Sequence, residues 1–73
     1  MELGARIKSW REAKGLSQAA LAKAVMVTPA AVSLWESGGA KPTHDNLDKV
    51  VAALGVTIER FYGAVPRTKP AAA

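Results

Sequence analysis

The chain has no cysteine, which excludes disulfides, thiol catalysis and cysteine-ligated metals together. It has a single histidine, His44, with no cysteine or carboxylate at ligand spacing beside it. An exposed side chain in the first turn of a helix is the expected reading. Gly38-Gly39 lacks the downstream Gly-Lys pattern of a phosphate-cradling loop. No apolar run approaches the length of a membrane span. Met1-Glu2-Leu3-Gly4 shows no basic segment followed by an apolar one, so no signal peptide is expected. There is no internal repeat. These absences leave no enzymatic reading: no catalytic residue, cofactor, metal or small-molecule ligand is expected.

What remains is one small domain's worth of chain, 73 residues with 49% hydrophobic content. The net charge is +4. Up to residue 41 the bases Arg6, Lys8, Arg11, Lys14, Lys23 and Lys41 face only the acids Glu2, Glu12 and Glu36. The basic excess therefore lies mostly in the first half. Alone it raises the prior for a nucleic-acid partner only slightly.

That half contains two helix starts eleven residues apart. The hydroxyl of Ser17 can accept from the free N–H groups of one opening turn. Thr28 can do the same for the next helix, with Pro29 at the first helical position, where its missing N–H costs nothing. Gln18 to about Val25 makes two turns, and Val25-Met26-Val27 leaves room only for a tight corner. Two short helices so joined must cross steeply, as in a helix-turn-helix.

Around them the apolar spacing predicts three further helices. Leu3, Ile7 and Trp10 share one face of a helix from Leu3 to Lys14, ended by Gly15. In the second helix Leu21, Ala22 and Val25 turn inward, and Ala19, Ala20, Ala22 and Ala24 are small enough for close approach. In the third, Pro29 to about Ser37, Val32 and Trp35 point inward with Ala31 beside them. The outward face carries Pro29, Ala30, Ser33 and Ser37, with Leu34 on its flank. Thr43 can cap a fourth helix with the stripe Leu47, Val50, Val51 and Leu54, ended by Gly55. Thr57 can cap a short fifth containing Ile58, Phe61 and Tyr62. By their helical phase Trp10 and Trp35 read as core, not as a stacking platform for single strands. Residues 64–73, with two prolines, two bases and a final alanine run, read as a flexible tail beyond a domain of residues 1–63.

Arg11, Gly15-Leu16-Ser17-Gln18, Leu21-Ala22, Val27-Thr28, Val32-Ser33, Trp35-Glu36, Gly38, Pro42, Leu47 and Leu54-Gly55-Val56 together resemble the Cro/C1-type helix-turn-helix repressor family. The resemblance runs from about Leu3 to Tyr62 and implies an all-α, five-helix, lambda-repressor-like domain. It implies that the third helix enters the major groove of duplex DNA. It also implies that Ser17 and Gln18, at the opening of the second helix, and Lys41, in the loop after the third, meet phosphates. Plain solvated side chains are the alternative for Gln18 and Lys41; Ser37 adds a hydroxyl contact or none. The family pairs an Arg and a Glu at the positions of Arg11 and Glu36; a direct phosphate contact by Arg11 is the other possibility. Met26 departs from the family, which has Gly at that corner. It must either take a left-handed conformation or reshape the turn.

The reading face departs as well. Thr28, Pro29, Ala30 and Ser33 include none of the Arg, Lys, Asn or Gln side chains that make bidentate base contacts. Apolar contact of Ala30, Thr28 or Pro29 with thymine methyls, and single hydrogen bonds from Ser33 or Thr28, remain. The expected function is sequence-specific transcriptional regulation, as a repressor at its own or a nearby operator, in a bacterial or phage-encoded cytoplasmic setting. One small helix rarely binds tightly alone, so a homodimer is expected. Ile58, Phe61, Tyr62 and Val65 form its expected interface; the alternative is that they close the monomer core. The rival reading is an antitoxin or adaptor that grips a protein partner such as a toxin or polymerase.

Overall fold

The computed structural model describes residues 2–63. Five helices occur in order: α1 (Leu3–Ala13), α2 (Gln18–Val25), α3 (Pro29–Ser37), α4 (His44–Leu54) and α5 (Ile58–Tyr62). Among the described residues there is no strand. The expected tail, and Val65 within it, lie outside the described residues.

Local chemistry sets the helix boundaries. The hydroxyl oxygens of Ser17, Thr28, Thr43 and Thr57 accept from Ala20, Ala31, Asn46 and Arg60 N–H at 3.0–3.1 Å. Each satisfies a donor that the opening turn would otherwise leave free. Only α1 starts without a side-chain cap, at Glu2. It also ends one residue earlier than its spacing suggests, with Lys14 as C-cap. The corner between α2 and α3 keeps the left-handed turn: Met26 sits at φ 67°, ψ 42°. A non-glycine residue there costs about 1 kcal/mol. Its side chain is 85% exposed, so no burial of its own offsets that cost.

The core is built where the five helices meet. Ile7, Trp10, Leu21, Ala22, Val25, Val32, Trp35, Val50, Val51, Leu54 and Phe61 form one buried cluster. Of the four alanines of α2 only Ala22 joins it; Ala19, Ala20 and Ala24 are exposed. α3 packs across both α1 and α2, α4 lies against α2, and α5 closes the end against α1 and α4.

Two tertiary contacts give α1 a larger part than its pattern suggests. The Arg6 guanidinium donates to the carbonyls of Phe61 and Gly63 at 3.0 and 2.9 Å, and lies 5.6 Å from the Tyr62 ring centre. The Trp10 indole N–H donates to the same Phe61 carbonyl at 3.1 Å. Together they satisfy carbonyls that the end of so short a helix leaves open. Gly4 provides the second contact. A Cβ there would stand 2.7 Å from the Glu36 carbonyl oxygen and closer still to that of Trp35, both backbone atoms. The first turn of α1 therefore crosses the last turn of α3 at a distance only glycine permits. Gly4→Ala gains helix propensity, yet the net expectation is a loss of ~1–3 kcal/mol from overpacking. The melting temperature should fall roughly 4–8 °C for each kcal/mol. A melt unchanged or raised would show that the two helices do not approach as described.

Candidate nucleic-acid interface

The site begins with a buried ion pair. The Arg11 Nε–H donates to Glu36 Oε2 at 2.6 Å and its Nη2 to Oε1 at 3.1 Å. The two side chains are 10% and 4% exposed. A fork on a carboxylate of this kind is charge-assisted at both bonds. The hydrogen bond to Glu36 raises the Arg11 pKa above its ordinary value; burial opposes the rise, and the charges of Glu36 and Glu12 assist it. Arg11 Nη1 also donates to the Leu16 carbonyl at 2.7 Å. So the guanidinium ties α1 to the α1–α2 turn and to the end of α3. Three of its five N–H groups are engaged in this way.

Gln18 joins the same network. Its side-chain amide donates to Glu36 Oε1 at 3.0 Å, and the residue is half-buried. It is therefore more than a surface side chain at a helix start: it links α2 to α3 through the shared carboxylate. The opening N–H groups of α2 beside it, around the Ser17 cap, form an edge of positive partial charge.

On the outer side of α3, Thr28, Pro29, Ala30, Ser33, Leu34 and Ser37 are all exposed. Its inner side buries Val32 and Trp35. Of the three hydroxyls on the outer side, one is engaged as acceptor only and one as both donor and acceptor. Thr28 Oγ1 accepts from Ala31 N–H. The Ser37 hydroxyl donates to the Leu34 carbonyl at 3.1 Å and accepts from Gly39 N–H at 3.4 Å. Ser37 thus finishes α3. On this face of α3 only the Ser33 hydroxyl makes no hydrogen bond to the described residues. Leu34 is 49% exposed and belongs to this face itself, one turn beyond Ala30. Its side chain rests near Gly39, and its carbonyl also accepts from Gly39 and Ala40 N–H. This turn leads the chain to Lys41, which is exposed.

At the far end, α5 corrects the expected interface. Phe61 is fully buried and belongs to the monomer's own core. Ile58 and Tyr62 are 42% and 50% exposed. Spacing could not separate the three, since i, i+3 and i+4 share one face of a helix. Arg6 was missed for a different reason: its partners lie 55 and 57 residues away along the chain. Among the described residues no group of His, Cys, Asp or Glu could hold a metal, and no helix is long and apolar enough to cross a membrane.

The family model described as helix-turn-helix matches residues 7–61. The structure is similar to the solution structure of the DNA-binding domain of the P22 C2 repressor, residues 1–76, which was compared there with the DNA-binding domain of the 434 repressor. The TM-score is 0.83 and the sequence identity 31%, over 90% of this chain and 88% of that one. A comparison with curated protein sequences found no match.

Proposed function

Because the chain belongs to the Cro/C1-type helix-turn-helix family, we propose that it is a sequence-specific transcriptional regulator. It binds duplex DNA as a homodimer, lays α3 in the major groove, and represses at its own or a nearby operator in a bacterial or phage-encoded cytoplasmic setting. The observation that carries this reading is the likeness, over 90% of the chain, to a repressor's DNA-binding domain. The free outer side of α3 fits it. So does the network beneath, which fixes α2 against α3 so that both can meet one duplex.

The roles follow from position. The opening turn of α2, with Ser17 and Gln18, and exposed Lys41 meet phosphates. Thr28, Pro29, Ala30 and Ser33 meet the groove, and Ser37 supports the turn to Lys41. Ile58 and Tyr62 on α5 supply exposed apolar surface for the second protomer, held in place by the Arg6 clasp.

A second reading has one observation in its favour. Pro29, Ala30 and Leu34 make the outer side of α3 apolar, as a toxin or polymerase partner would prefer. Ala30→Glu separates the two. Ala30 is exposed in the first turn of α3, where a glutamate favours both helix propensity and dipole. The fold should melt nearly unchanged by circular dichroism. On DNA the new carboxylate would face phosphates and base acceptors without a counter-charge. Affinity for duplexes enriched from a random-sequence library, read by fluorescence anisotropy, should fall more than tenfold, about 1.4 kcal/mol or more. A folded variant binding at full strength would remove α3 from the groove and put the protein-partner reading ahead.

A further inference from the structure

A cleft of about 400 Å³ opens where the first turn of α1 faces the loop that follows α3. Leu3, Trp35 and Pro42 give it apolar walls, and Glu2 and Lys41 are its charged residues. Both are exposed, and neither forms an ion pair among the described residues. Trp35 carries the sign of a ligand. The residue is only 6% exposed, yet its indole N–H donates to none of the described residues, whereas that of Trp10 donates to the Phe61 carbonyl. Among the described residues every sealed side-chain nitrogen or oxygen has a hydrogen-bond partner, so the Trp35 N–H is not sealed. It opens on the cleft that its ring lines. An indole nitrogen can only donate, and when buried it is normally bonded. The acceptor it calls for comes from outside the fold. α1, the one helix that starts without a side-chain cap, adds positive partial charge at the same mouth.

The geometry points to this cleft as a binding site for a small organic carboxylate with an apolar body. The carboxylate accepts from the Trp35 N–H and pairs with Lys41, while the apolar body covers Leu3 and Pro42. A few convergent polar groups in an apolar cleft are the usual make-up of a small-molecule site. Glu2 separates two sources of that chemistry. It repels a simple acid and favours an amino acid, whose ammonium it can pair with. No motif marks the site, because its walls come from residues 2–4 and 35–42 and meet only in the folded chain. The occupant also takes a charge out of use. Lys41 is the cation proposed above for a DNA phosphate, so a seated carboxylate competes with the duplex for it. That consequence rests on the DNA-binding reading; the site itself does not.

The probes are phenylacetate and phenylalanine, titrated against the isotope-labelled full chain by nuclear magnetic resonance, with acetate and benzyl alcohol as controls. Ligands this small should bind in roughly the millimolar range. The Trp35 indole N–H signal should move to saturation while that of Trp10 stays. Acetate lacks the apolar body and benzyl alcohol the charge, so neither should saturate it. The tighter probe identifies the source, and Glu2→Gln should tighten phenylacetate and loosen phenylalanine. Trp35→Phe keeps an apolar ring, assigns the signal, and should cost more than about tenfold in affinity, read from the backbone amides of the cleft. Lys41→Ala should weaken both probes about threefold. Lys41 is exposed, so this variant should fold even if Trp35→Phe does not, and circular dichroism checks both. At equal ionic strength phenylacetate, and not acetate, should lower affinity for duplexes enriched from a random-sequence library. An indole signal that neither probe moves, or that benzyl alcohol moves equally, overturns the site whatever the DNA result. Unchanged probe affinity in Lys41→Ala overturns it too. Saturable binding without competition overturns the link to DNA. If no duplex binds at low salt but the indole signal saturates, the DNA reading fails and the site stands.

Discussion

Raising the salt from about 50 to 200 mM is expected to lower affinity for duplex DNA by roughly 10³–10⁵. The range follows from counterion release by a dimer that touches ~6–10 phosphates, three to five from each protomer. A monomer with the same contacts would lose only ~40- to 500-fold over that interval. The slope of log affinity against log salt therefore counts protomers as well as contacts. Lys41→Ala tests one contact directly. Its side chain is exposed after α3 and makes no ion pair among the described residues. Its loss should weaken all sequences alike and flatten the slope by about 1 per protomer. A slope that Lys41→Ala leaves untouched would place the loop away from the phosphates. A monomer-sized slope from the unchanged protein would count against the dimer.

The features legible in the sequence are those whose causes are local. Ser17, Thr28, Thr43 and Thr57 each cap the helix expected of them, because a cap needs only its own next three residues. Val32 and Trp35, or Val50, Val51 and Leu54, find the core because nine to eleven residues suffice to define a face. Five residues do not. In α5 the same periodicity admits Ile58, Phe61 and Tyr62 together, and only packing against α1 and α4 selects Phe61 for burial. Gly4 is illegible for another reason. Inside a helix it looks like a weak helix former, and its purpose appears only when the α3 carbonyls are set against it. Gln18 shows both sides: its place at a helix start is local, but its bond to Glu36 exists only in the folded chain.

That shared carboxylate leads to the other large effect. Arg11→Met and Glu36→Leu are each expected to destabilise the fold by ~3–5 kcal/mol, the cost of stranding one member of a buried pair. A small domain has only about 5–15 kcal/mol in all, so either variant should be close to unfolding at moderate temperature. The two losses differ in what they leave behind. Without Arg11, Glu36 keeps one neutral donor, Gln18, and the Leu16 carbonyl loses its partner. Without Glu36, Arg11 keeps the Leu16 carbonyl as its sole acceptor here, and the Gln18 amide must turn elsewhere. In the double variant no charge is buried, and two apolar side chains of similar size meet between α1 and α3. Stability should return in large part, as replacement of a buried pair by well-packed apolar groups allows. The return should stay incomplete, because the Leu16 carbonyl remains unpaired. Denaturant melts of the four proteins give the coupling directly, and a pair in contact should show at least 0.5–3 kcal/mol. If the single losses simply add in the double variant, the two residues do not act on each other. α2 and α3 would then owe their fixed angle to the apolar core alone, and the polar network beneath the reading helix would carry no part of the site's geometry.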